Sequence, residues 1–140
     1  MPSKTNKSSN NLRNTFHKEE RLSSKVMIDI LFEKGRYFNN YPIKVVWVEA
    51  EIASSFPAQL IISVPKKTFK KAVDRNRIKR LIREAYRKNK FNFYNYLVSQ
   101  NIKIAVGFVY TGNEILDYSE IESKIVLILQ KIETQHAKGN

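Results

Sequence analysis

The 140-residue sequence contains no cysteine, which excludes disulfides, thiolate metal sites and cysteine nucleophiles. Its only two histidines, His17 and His136, lie in opposite terminal regions, so the sequence offers no histidine pair for acid–base catalysis. The longest aliphatic run covers residues 125–129, far too short to cross a bilayer, and no apolar segment typical of a secretory signal follows the N-terminus. We therefore expect a cytoplasmic protein without a membrane partner.

Acidic residues are scarce: 13 Asp and Glu stand against 25 Lys and Arg, which gives a formal net charge of +12. Residues 66–90 alone contain twelve basic and two acidic residues, whereas residues 26–65 and 91–140 are each close to neutral. A short charge run usually does no more than solvate a surface, but ten net charges packed together repel one another unless a polyanion neutralises them. The sequence therefore predicts a polyanionic partner.

Carboxylates that could hold a catalytic metal ion are also few. The basic segment contains only Asp74 and Glu84. The densest acidic group falls at the start of a predicted helix, where capping and the helix dipole explain it: Glu114, Asp117, Glu120 and Glu122. We predict no catalytic residue and no metal ligand in this chain.

Hydrophobic periodicity predicts one α+β domain over residues 16–134, between a disordered basic tail (1–15) and a flexible C-terminus (135–140). The first helix is capped by Ser23 or Ser24 and ended by Gly35, and the last is capped by Asp117 or Ser119. The expected order is α-β-β-β-α-β-α in a small two-layer α/β sandwich. The predicted segments are helices over 22–34, 72–89 and 118–133, and strands over 36–41, 43–49, 59–64 and 102–110.

The helix predicted over 72–89 has two different sides. At 100° per residue, Ile78, Leu81, Ile82 and Ala85 form one narrow apolar stripe, with Arg75 near the border and Arg77 and Glu84 on a flank. The opposite side carries Asn76, Lys79, Arg80, Arg83, Arg87 and Lys90. A narrow aliphatic stripe suits docking on a sheet better than lying in a membrane surface. An arginine-rich row favours bidentate phosphate contacts, so nucleic acid is the better partner.

Residues 74–85, which read DRNRIKRLIREA, contain the RNR signature of the bacterial ribonuclease P protein subunit. The upstream SVPKK at 63–67, the Ala-Val pair at 72–73 and LFEKG at 31–35 stand where that family has its strand-to-helix approach and its first helix. The chain resembles this family over roughly residues 16–133.

The resemblance implies a small α/β sandwich with a left-handed βαβ crossover around the RNR helix. It also implies that the chain assists a catalytic RNA in removing the 5′ leader from precursor tRNA, as one subunit of a ribonucleoprotein endonuclease. The expected partners are the catalytic RNA and precursor tRNA, with no protein partner. The resemblance places the chemistry and its Mg²⁺ in the RNA, so the protein itself is expected to bind no cofactor.

Site residues follow by matching positions to the family pattern. For the leader cleft the candidates are Phe32, which matches an aromatic of the first helix, Trp47, which strand alternation could place on the cleft face, and Ser63. A core position is the commoner role for a lone tryptophan. The candidates for contact with the catalytic RNA are Lys66, Lys67, Lys70, Lys71, Arg75, Asn76, Arg77, Lys79, Arg80, Arg83 and Arg87.

Two other classes of protein share a basic helix. A general structured-RNA-binding protein of ribosomal or chaperone type would have the helix without the RNR match. Protein-dependent cleavage of precursor tRNA would distinguish a ribonuclease P subunit from such a protein. A DNA-binding regulator would use a major-groove recognition helix, but here the basic helix stands between strands and does not follow a short helix-turn.

Overall fold

The structure, a computed structural model, describes residues 15–139, so all but the last residue of the predicted basic tail lies outside the described residues. A short 3₁₀ turn, Lys18–Glu20, precedes the main elements. These run in the predicted order: α1 (Lys25–Lys34), β1 (Arg36–Asn40), β2 (Ile43–Glu49), β3 (Ala58–Ser63), α2 (Ala72–Ser99), β4 (Ile104–Tyr110) and α3 (Tyr118–Ala137). No helix within 15–139 is both long enough and apolar enough to span a membrane.

The four strands form one sheet in the order β1-β2-β4-β3. β2 pairs antiparallel with both β1 and β4, whereas β3 lies parallel to β4. A parallel pair needs a crossover, and α2 supplies it. The α+β sandwich predicted from the periodicity is therefore confirmed, including the short strand β1.

The two faces of the sheet carry different cores. On one face α2 and α3 cover the sheet, and Phe108 at the centre of β4 meets the ring of Tyr86 edge-on at 6.2 Å. On the other face α1 packs Leu31 against Val46 and Ala105. Gly107 allows this close approach, because a Cβ there would lie 3.0 Å from Val46 Cγ1 and 3.3 Å from Leu31 Cδ2.

Local capping agrees with the sequence. The Ser24 hydroxyl accepts a hydrogen bond from the amide of Met27 at 3.3 Å, and Asp117 accepts one from Glu120 at 3.0 Å. Gly35 ends α1 and has no room for a side chain, since a Cβ there would overlap the Leu31 carbonyl oxygen and lie 2.6 Å from Val46 Cγ2.

The predicted ends of two helices were wrong, because both helices continue further. α2 runs on to Ser99, since Phe93 and Leu97 continue its buried stripe and no glycine or proline interrupts it. α3 runs to Ala137, so residues 135–137 belong to a helix and not to a flexible terminus. Gln135 accepts a hydrogen bond from the Trp47 indole at 2.8 Å, which ties this last turn to the sheet.

Burial raises the pKa values of four tyrosines, Tyr86, Tyr94, Tyr110 and Tyr118, the last of them to about 12. A raised pKa in the fold means that the neutral phenol stabilises the folded state fully below about pH 10, and that this stabilisation is lost at higher pH. In an ultraviolet titration we expect phenolate formation to lag at these positions and to finish only as the fold melts. Ionisation of all seven tyrosines near pH 10 with an unchanged circular dichroism spectrum would contradict this assignment.

Candidate nucleic-acid interface

The first half of α2 presents a row of cations to solvent. Ile78 and Ile82 are fully buried against the sheet, which turns the opposite side of the helix outward. Asn76, Arg77 and Arg80 are exposed there, while Lys79 and Arg83 are half-buried. The structure thus places Asn76, Lys79, Arg80 and Arg83 on the side of the helix away from the core, with Arg77 exposed on the flank.

The loop before α2 adds four exposed lysines, Lys66, Lys67, Lys70 and Lys71. The Pro65 carbonyl accepts hydrogen bonds from the amides of Thr68 and Phe69, at 3.3 and 3.1 Å. The Phe69 side chain is buried, with its ring 6.0 Å from that of Tyr110. A turn and a buried anchor therefore hold the loop in place while its lysines point to water. We call these lysines, with Asn76, Arg77, Lys79, Arg80 and Arg83, the basic face.

Arg75 braces the loop. Its guanidinium donates hydrogen bonds to the carbonyls of Phe69 and Lys70, at 2.8 and 2.9 Å. These two hydrogen bonds join the loop to the first turn of α2. They also occupy part of the Arg75 guanidinium, which was predicted to contact RNA. Arg75 therefore lies at the margin of the basic face, where the helical pattern had placed it.

Arg87 and Lys90, at the C-terminal end of the predicted row of cations on α2, are both engaged by carboxylates. Arg87 forms an ion pair with Glu84, and this hydrogen bond holds the pKa of the Glu84 carboxyl below its usual value. Lys90, predicted on the exposed side, is 2% exposed and forms an ion pair with the fully buried Glu20. The prediction for Lys90 was wrong because the segment before α1 packs over this part of α2.

A narrow crevice extends the basic face to the edge of β3. Arg21 pairs with Leu60 in an isolated parallel bridge and stands opposite Lys79 and Arg83. The crevice between them has a volume of about 160 Å³. Burial, together with the charges of Arg21 and Arg80, lowers the pKa of Arg83. Sequence reasoning missed Arg21, since two glutamates precede it and make its neighbourhood look neutral.

The face of the sheet that carries α1 is only partly covered. Phe32 is 36% exposed, and its Cζ lies 3.4 Å from where a Cβ on Gly107 would stand. Ser63 is exposed at the end of β3, two residues after Ile61, which packs under α1. Residues two apart on a strand share a face, so Ser63 lies on the face that carries α1. Phe32 and Ser63 thus share one open surface, and their role in a leader cleft stays a prediction.

Trp47 does not join them. It alternates with Val46 along β2 and therefore lies on the opposite face, 3% exposed in the core with α2 and α3. Its indole donates to Gln135, and the Arg36 guanidinium carbon lies 5.1 Å from the ring centroid. The assignment of Trp47 to the leader cleft was wrong, and its core role is the one observed.

Two residues that sequence reasoning missed lie on the open face with Phe32. The Tyr37 hydroxyl donates a 2.6 Å hydrogen bond to the Phe32 carbonyl, and Lys44 Nζ lies 5.2 Å from the Tyr37 ring centroid. In the structure Tyr37 pairs with Val46, and Lys44 lies two residues before Val46 on the same strand, so all three share one face. Alternation alone could not have found them, because it does not say which face α1 covers. We call Phe32, Tyr37, Lys44 and Ser63 the open sheet face.

Across residues 15–139 there is no group of three or more histidines and carboxylates that could hold a metal ion. The buried carboxylate of Glu20 is occupied by its ion pair with Lys90. The described chain therefore offers two surfaces suited to binding, one strongly basic and one aromatic.

The family described as Ribonuclease P matches residues 16–133. A Ribonuclease P protein component from Porphyromonas gingivalis is 36% identical over 105 residues, covering 75% of this chain and 77% of the relative. A second, from Petrotoga mobilis, is 31% identical over 122 residues, covering 85% and 96%.

Solved structures share the fold at lower identity. The RNase P protein from Thermotoga maritima superposes with a TM-score of 0.63 at 22% identity, covering 80% of this chain and 96% of that one. The Staphylococcus aureus RNase P protein gives 0.61 at 22% identity, covering 81% and 94%. The chain therefore belongs to the ribonuclease P protein component family, the protein subunits of a ribonucleoprotein endonuclease that processes tRNA.

Proposed function

We propose that the chain binds the catalytic RNA of ribonuclease P through the basic face. The observation that carries this proposal is the row of cations held outward on α2, whose other side is fully buried. A preformed row of this kind contacts successive phosphates without first ordering a flexible segment. If about six to ten phosphates are neutralised, affinity should fall steeply as the salt concentration rises. Each neutralised phosphate contributes about 0.7–0.9 to the slope of log affinity against log salt concentration.

The open sheet face is proposed to receive the single-stranded 5′ leader of precursor tRNA. Phe32 and Tyr37 offer rings on which unpaired bases can stack, and Lys44 offers a charge for the leader's phosphates. Stacking is tolerant of sequence, so this surface suits leaders of varied composition.

Magnesium enters the proposal through the RNA. Cleavage of a phosphodiester needs its charge neutralised, and Mg²⁺ ions held by the folded RNA would supply the hydrolytic chemistry. The basic face would take over part of the diffuse cation requirement, because its charges are fixed and need not be recruited from solution. The protein would thus lower the Mg²⁺ concentration at which the RNA works.

The test is cleavage of a precursor tRNA by a bacterial ribonuclease P RNA at low Mg²⁺, with and without the chain. We expect cleavage only when the protein is present. Phe32→Ala should weaken binding of long-leader precursors by about 1–3 kcal/mol, the size of one base–aromatic stack, and leave one-nucleotide leaders unaffected.

Lys124→Ala is the control, since Lys124 lies on α3, which contributes no residue to either surface. Tight RNA binding without any stimulation of cleavage would reject the proposed role and leave only a general RNA-binding module. An equal effect of Phe32→Ala on long and short leaders would reject the open sheet face as the leader site.

A further inference from the structure

A buried ion pair joins the segment before α1 to the middle of α2. Lys90 is 2% exposed and Glu20 is fully buried, and the Lys90 ammonium contacts the Glu20 carboxylate. The same ammonium donates to the Thr15 carbonyl. It also lies 5.1–5.9 Å from the ring centroids of Tyr94, Phe56 and Phe16. A single lysine therefore holds both ends of the segment 15–20.

The Glu20 carboxylate has further donors. The Tyr94 hydroxyl donates to it at 2.6 Å, and the His17 amide donates to its second oxygen at 2.7 Å. Burying two charges costs so much desolvation that an apolar pair of similar volume is often at least as stable. Such a network instead fixes one position of the segment, because each hydrogen bond restrains the residues that form it.

The segment positioned in this way ends at Arg21, the residue directly after Glu20. The Leu22 amide donates to the Leu60 carbonyl at 2.9 Å, which attaches the chain to the edge of β3. The Arg21 guanidinium carbon lies 5.6 Å from the centroid of the Phe16 ring, within the same segment. Arg21 thereby faces Lys79 and Arg83 across the crevice described above.

We propose that Glu20 and Lys90 are positioning residues that hold Arg21 at this crevice, where Arg21, Lys79 and Arg83 together bind one phosphate group of the RNA backbone. The proposal rests on the proposed function, because the ligand is the RNA that the basic face binds. The residues lining the crevice are basic or apolar, with no carboxylate among the described ones. Cations that line one crevice repel one another until an anion lies between them. Burial, and after it the charges of Arg21 and Arg80, lowers the pKa of Arg83.

The experiment measures the affinity for ribonuclease P RNA as a function of salt for the full chain and three variants: Arg21→Ala, Lys90→Met and the two combined. We expect Arg21→Ala to reduce the steepness of the salt dependence by about 0.7–0.9, the value for one phosphate contact. Lys90→Met should produce the same loss although it removes a buried charge. The combined variant should lose no more than either single one, because both remove the same contact.

Hydrogen exchange at the Leu22 amide separates positioning from contact. Lys90→Met should speed this exchange, since the segment detaches from β3, whereas Arg21→Ala should leave it unchanged. Should Lys90→Met fail to fold, Tyr94→Phe keeps the ring and removes one donor to Glu20. Its control is Tyr96→Phe, which alters a hydroxyl on the same helix that contacts His136 instead. We expect a reduced salt slope with Tyr94→Phe and not with Tyr96→Phe.

Additive losses in the combined variant would overturn the proposal, because they would show that the ion pair and Arg21 act separately. A lower melting temperature with an unchanged salt slope would also overturn it, leaving the pair a purely structural role. If the unmodified chain does not bind the RNA, the proposed function fails first, and the assignment of an RNA phosphate to the crevice falls with it.

Discussion

Replacing Arg80 and Arg83 together by alanine is expected to weaken binding of the catalytic RNA by about 3 kcal/mol, or roughly 100-fold in Kd. Both side chains project from the outward side of α2, one exposed and one half-buried. Each charge-assisted contact to a phosphate contributes more than a neutral hydrogen bond, and neither arginine belongs to the main core. Folding stability should therefore change little while affinity falls.

Lys124→Ala combined with Lys131→Ala is the matched control, because it removes the same formal charge from α3. Filter binding or fluorescence anisotropy at several salt concentrations gives the affinity and its slope. An equal loss in the control would mean that net charge alone drives binding. Since the proposed function places the chemistry in the RNA, we expect the single-turnover cleavage rate to recover once the variant is saturated with RNA. A persistent rate defect at saturation would assign the arginines a part in the chemical step.

Phe108→Ala is expected to lower the free energy of unfolding by about 3–5 kcal/mol. Phe108 is fully buried on the central strand β4, where it pairs with Val45 of β2 and Ile62 of β3 and meets the edge of Tyr86 from α2. Domains of this size are commonly stable by only about 5–15 kcal/mol, so the loss would leave much of the free protein unfolded. RNA affinity should fall as well, because the sheet no longer supports α2.

Val109→Ala tests the assignment of faces, as Val109 is the next residue on the same strand. It is half-buried on the opposite face, beyond the cover of α1. We expect a loss below about 1 kcal/mol in urea denaturation, since few atoms leave a packed environment. Similar losses for the two variants would show that the core does not lie on the side described.

Local patterns predicted most of the architecture. The apolar stripe of α2 repeats every three to four residues, and its periodicity places Ile78 inside and Arg80 outside whatever sheet it meets. Caps such as Ser24 and Asp117 act within one turn of their helix. Features set by neighbours along the chain could therefore be predicted from local residue patterns.

Features set by distant parts of the chain could not. By its position on the helix Lys90 looks like a solvated lysine. Its burial depends on an ion pair with a carboxylate 70 positions earlier in the chain. For Trp47, alternation gives two faces but does not say which helices cover each. Arg21 matters through side chains on α2 that no local pattern connects to it. These placements depend on tertiary packing, which the period of a sequence does not encode.

The 28-residue helix α2 is about 42 Å long, and its two halves have different roles. Its first half carries the basic face, while Phe93 and Leu97 in its second half are buried in the core. Random mutagenesis along this one helix should therefore yield two classes of defective clone. Changes to the outward-facing cations of its first half would give well-folded, abundant protein that fails to bind RNA, and changes to the buried residues of its second half would give protein that is degraded before it can bind.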